Sequence, residues 1–62
     1  MYHIELKEDE RSILIDVLES AHSDLRMEIS NTDQMDFREA LKLRKAVVGR
    51  VLDALGAGVK AP

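Results

Sequence analysis

The chain has 62 residues, a net charge of −3, no cysteine and two aromatic residues, Tyr2 and Phe37. At this length it is one marginal domain that buries roughly 60% of the surface its unfolded form exposes, and such domains are usually held by disulfides, metals or association. The missing cysteines exclude disulfides and a thiolate zinc site, two aromatics are too few to stack single-stranded nucleic acid, and self-association is the staple that remains.

Tyr2, Ile4 and Leu6 alternate with His3 and Glu5, which is the period of a strand. Residues 1–6 are therefore read as an extended arm, laid across the helices or paired with the arm of a second copy. The opening MYHIELKEDE has no signal-peptide core, and no apolar run approaches the roughly 20 residues of a membrane span. A cytoplasmic protein with no membrane partner is expected.

The first helix is placed at residues 7–31. Glu8, Asp9 and Glu10 fill its first turn, where carboxylates meet the positive end of the helix dipole, although Lys7 offers no acceptor as a cap. At 100° per residue, Leu14, Leu18, Ala21, Leu25 and Ile29 share a face, and Ile13, Val17, Ile15 and His22 widen it. The arc is about twice the roughly 100° stripe that covers one neighbour, so contact with more than one helix is expected. Met27 falls outside it.

Ser30, Asn31, Thr32 and Asp33 make a turn, and Thr32, Asp33 or Asp36 is expected to cap the second helix, placed at residues 34–55. Its apolar seam runs Phe37, Leu41, Val48, Val51, Leu55, with Arg44 in the one missing place. Gly56 suits a left-handed helix end, and residues 56–62 are read as a flexible tail. Gly49, off the seam, has two readings: a site of close helix approach, or an exposed residue costing about 1 kcal/mol against alanine.

The expected fold is all-α: an antiparallel two-helix hairpin that dimerises into a four-helix bundle, a tetramer being the alternative. Its oligomer core is Leu14, Leu18, Ala21, Leu25, Phe37, Leu41, Val48, Val51 and Leu55. Charge agrees with helices lying side by side. Residues 5–28 carry eight acids against three bases, and residues 38–50 carry five bases against one acid.

Glu19-Ser20-Ala21-His22 has the Glu-x-x-His spacing of di-metal helical bundles. A turn centred near Asp33 puts Arg44 opposite His22, where a second ligating carboxylate would have to stand, and this argues against a metal. Arg44, if buried, needs an anion. Glu19 is the first choice, from the same chain or a partner, which makes Arg44, Glu19 and His22 a polar layer that sets register and partner choice. Otherwise Arg44 reaches the bundle edge and buries only its stem. Glu28 and Arg38 are a second expected pair.

Arg38, Lys42 and Lys45 form a ridge on the second helix, read first as a solvated face and second as an anion-binding surface. The acidic balance, the lack of interleaved aromatics and the lack of a helix-turn-helix pattern argue against nucleic acid as a partner. No nucleophile–histidine arrangement, glycine-rich phosphate loop or paired acid–base set appears, so neither an enzyme nor a cofactor is expected.

The stretch SDLRMEISNTDQMDFREALKLRKAV carries Ser23, Asp24, Leu25, Arg26, Glu28, Ile29, Thr32 and Asp33, then Phe37, Arg38, Leu41, Lys42 and Arg44. In that pattern it resembles a group of short, uncharacterised bacterial helical-hairpin proteins with no assigned role. The resemblance implies a bacterial hairpin; Lys7 departs from it, because such sequences carry threonine or serine at that cap. It also draws attention to Asp24, Arg26, Glu28, Asp33 and Arg38, expected to form a charge network tying the turn to both helices. The reading that results is a non-enzymatic, homo-oligomeric module for protein–protein interaction or scaffolding. The alternative is a small nucleic-acid-associated or regulatory protein using the basic ridge.

Overall fold

A computed structural model of the chain describes residues 2–56. Two helices, α1 (Glu8–Asn31) and α2 (Met35–Ala54), pack side by side as an antiparallel hairpin. Both ends of each helix lie within one residue of the boundaries expected from periodicity. Of the expected tail, only Gly56 is described; residues 57–62 lie outside the described residues.

Lys7 is the N-cap of α1, in extended backbone geometry (φ −73°, ψ 164°). Its side chain caps nothing, but its backbone N–H donates to Glu10 Oε1 at 2.9 Å, which is half of a capping box. Asp9 Oδ1 accepts from the Glu10 N–H at 2.9 Å. The acids of the first turn therefore serve as hydrogen-bond acceptors as well as dipole partners. The chain leaves α1 through extended Thr32 and enters α2 through Gln34, which makes no side-chain cap bond. None of Thr32, Asp33 and Asp36 caps α2; Asp36 instead lies inside its first turn.

The core is small. Among the described residues only Leu25, Leu41 and Leu52 are buried, at 9%, 2% and 5% exposure. Around them, Leu14, Ile15, Leu18, Ala21, His22 and Ile29 of α1 are half-buried, as are Lys45, Val48 and Gly49 of α2 and Leu55 beyond it. The seam of α2 inside the hairpin is thus Leu41, Lys45, Val48, Leu52, Leu55. The expected seam shares Leu41, Val48 and Leu55 but takes Arg44 and Val51 in place of Lys45 and Leu52. Rotating toward Leu52 buries the larger apolar side chain. The same rotation buries the aliphatic stem of Lys45, whose ammonium can still reach water. Phe37, Arg44 and Val51 are left exposed.

The arm is not laid across the helices. Residues 2–7 are non-helical, Tyr2 is fully exposed and Ile4 nearly so, and only Leu6 is half-buried. No described helix is long and apolar enough to cross a membrane.

Candidate self-association face

The hairpin has two flanks, and the 100° step per residue assigns side chains to each. On α1, Ile13 and Val17 turn out of the seam to one side. On α2, Phe37, Ala40, Val47 and Val51 turn out to that same side, because the two helices run in opposite directions. The structure agrees near the turn, where Asp24 and Glu28 of α1 line one shallow depression together with Phe37 of α2. The opposite flank holds a second depression, lined by His22, Ile29, Lys42, Lys45, Ala46 and Gly49.

The first flank is apolar and open to solvent. Ile13 is 63% exposed, Phe37 48% and Val47 45%, with Val17 and Val51 between them and Leu43 at the outer edge. Exposed single hydrophobes are ordinary, but a run of them across both helices of so small a hairpin is a surface suited to another protein.

Arg44 lies on this apolar flank, exposed, and not beside His22. The residue that faces His22 is Gly49: a Cβ placed there would stand 3.8 Å from His22 Nε2. Glu19 is exposed and projects toward the opposite flank from Arg44, so the layer of Arg44, Glu19 and His22 does not form within the chain. The arginine therefore does not occupy the place across from Glu19 and His22. Glycine does, and it brings no ligand. Among the described residues, no three histidine or acidic side chains come together as a metal set.

Nor does the turn-end network form. Among the described residues the ion pairs are Arg11 with Glu8 at 3.0 Å and Lys42 with Glu39 at 3.4 Å, each within one helix. Asp24 and Glu28 project to the apolar flank, whereas Arg26 and Arg38 project to the other, and the hairpin separates them. Asp33 is exposed in the turn. Arg38, Lys42 and Lys45 share the opposite flank, and of the three Lys42 and Lys45 line the second depression.

One contact was not anticipated. Arg11 reaches from the first turns of α1 to the far end of α2, where its Nε donates to the Leu55 carbonyl at 2.6 Å while Nη1 holds Glu8. Neither helix has a basic residue in its own last turn, so Arg11 supplies α2 with the cation its C-terminal end lacks. Gly56 follows in the left-handed region (φ +84°), its N–H bonded to the Asp53 carbonyl. A sequence signal did exist: Arg11 stands three residues before Leu14 and seven before Leu18, on the buried face of α1.

Comparison with known proteins finds no matching family model, no matching curated protein and no matching solved structure.

Proposed function

We propose that the chain is a non-enzymatic helical-hairpin module that self-associates into a four-helix bundle and acts by assembly or by holding another protein. The observation that carries this reading is the apolar flank of Ile13, Val17, Phe37, Val47 and Val51, exposed on a hairpin with only three buried side chains among the described residues. Covering it removes apolar surface from water at about 25 cal/mol per Å². A second copy of the same flank supplies a matching cover, as a two-fold dimer requires. The resemblance to bacterial helical hairpins is compatible with this role and assigns none of its own.

Sedimentation equilibrium tests it. The wild-type chain is expected at twice the monomer mass, and Val47→Glu, which sets a carboxylate in the middle of the flank, is expected to return it to a single chain. Ser23→Glu, on the outer surface of α1, should leave the mass unchanged. A wild-type chain that stays monomeric at every concentration, or a Val47→Glu dimer, refutes the reading.

The second reading, anion binding by the basic residues of α2, is favoured by one observation: Lys42, Lys45 and His22 surround a common depression that no acid lines. It predicts binding to a phosphate-rich polymer that weakens steeply with salt, whereas apolar docking changes little.

A further inference from the structure

An aligned two-fold dimer that buries the apolar flank has two arrangements. With the two-fold axis parallel to the helices, both turns lie at the same end and each α1 packs on the partner's α2. With the axis across the helices, the turns lie at opposite ends and like helices pack together. Neighbouring helices are antiparallel in both, so helix dipoles do not choose between them. Charge does. The α1 helix carries seven acids against two bases, and α2 carries five bases against three acids. Turns apart would stack acid on acid; turns together sets each acidic helix on a basic one.

The detail on the flank points the same way. Its acids near the turn are Asp24 and Glu28, on α1, and the cation at that depth is Arg44, on α2. Arg11 meets Leu55 at the open end and His22 meets Gly49 further along, so Arg44 is level with the α1 segment that holds Asp24. Within one chain these charges make no ion pair. An arrangement with the turns together carries Arg44 over Asp24 of the second copy, with Glu28 one helical turn away, and does so twice by symmetry.

We infer that the dimer is a turns-together bundle in which α1 packs on the partner's α2 and Arg44 pairs across the interface with Asp24 of the second copy. This rests on the self-association reading above and adds its geometry. Arg44 then has a use for its place in the sequence: it stands amid apolar residues, so that it is enclosed in the assembly, and it makes no ion pair among the described residues of its own chain, so that it is free to meet a partner's carboxylate. A pair of this kind fixes register more than it adds affinity.

The test uses two measurements on the full chain. In the first, Gln34→Cys places a single thiol in the exposed turn of a cysteine-free protein. Packed helices lie about 8–10 Å apart, so a bismaleimide spanning about 10–15 Å should link two turns that share an end. Turns at opposite ends are separated by about 30 Å, the length of a 20-residue helix, and would not be linked. In the second, Arg44→Asp and Asp24→Arg are each expected to raise the dimer dissociation constant about tenfold or more. The double exchange should restore it to within about threefold of wild type, because the charges then meet with reversed sign. Efficient turn-to-turn linkage with charge-exchange rescue supports the inference. A wild-type dimer that resists linkage, or whose exchanged pair is as weak as the single variants, overturns this geometry and leaves self-association standing. A monomeric wild type overturns both.

Discussion

At the scale of single residues, the open end of the hairpin has the one side-chain hydrogen bond that crosses between its two ends among the described residues. Arg11 crosses from α1 to the Leu55 carbonyl, and Gly56 immediately after it adopts the left-handed region. Gly56→Ala meets two penalties: a φ of +84° that a side chain resists, and a Cβ 2.9 Å from Arg11 Nη2. The side chain can swing aside, but then the bond to Leu55 is disturbed. Chemical denaturation should show a loss of about 1–2 kcal/mol for Gly56→Ala. Arg11→Ala should cost about 1 kcal/mol, the value of a half-exposed charged hydrogen bond. In the double variant the losses should be less than additive, since both act through one contact. Gly49 behaves differently. It lies in the body of α2, and a Cβ there would reach only ordinary contact distance from His22. Gly49→Ala is therefore expected to stabilise the protein by about 0.5–1 kcal/mol, the helix-propensity difference, and a raised unfolding midpoint is the readout. Of these features Gly56 was legible in the sequence, because glycine after the last periodic residue has a local cause, whereas for Arg11 the spacing gives its place on the buried face of α1 and not its partner. The Arg11 clamp depends on two segments 44 positions apart, and no local pattern encodes that distance.

At the scale of elements, the helices were legible and their facing was not. The 3.6-residue recurrence of leucine, valine and isoleucine, bounded by Lys7, the Ser30-to-Asp33 turn and Gly56, sets both helices to within a residue. The direction α2 faces is another matter. Leu41, Val48 and Leu55 belong equally to a seam through Arg44 and Val51 and to one through Lys45 and Leu52. Only packing against α1 selects the second. The candidate polar layer does not form within the chain for that reason, since it required Arg44 to face inward. The helix starts also show a weakness, legible at Lys7 but not at the second helix, where Thr32, Asp33 or Asp36 is the expected cap: Lys7 and Gln34 sit in N-cap geometry without a side-chain bond to the helix. Lys7→Ser and Gln34→Asp should each add about 1 kcal/mol of stability by supplying an acceptor to the free N–H groups. Lys7→Ser would complete the box that Glu10 already half makes. Thermal unfolding followed by circular dichroism checks both, and no gain for either would mean that water satisfies those groups equally well.

At the scale of the whole molecule, the question is what keeps so thin a hairpin folded. Two helices of 24 and 20 residues are ordered around three buried leucines, and every ordered residue costs about 1–2 kcal/mol of backbone entropy. Leu41, the most buried, is the centre of that core, and Leu41→Ala should cost about 2–5 kcal/mol, enough to unfold a marginal domain. The apolar flank offers the additional burial that the hairpin lacks, and if a second copy provides it, folding and assembly are one equilibrium. Stability must then depend on protein concentration, because mass action favours the associated folded state over separate unfolded chains. The midpoint of thermal unfolding should rise steadily as the chain is concentrated over three orders of magnitude. Val47→Glu should remove that dependence and unfold at or below the lowest wild-type midpoint. A self-sufficient hairpin behaves otherwise: its midpoint is the same at every concentration, and Val47→Glu, on an exposed surface, shifts it by little. Salt sharpens the distinction further. If Arg44 pairs across the interface in an enclosed setting, the concentration-dependent part of the stability should survive moderate salt, since buried pairs are screened far less than exposed ones.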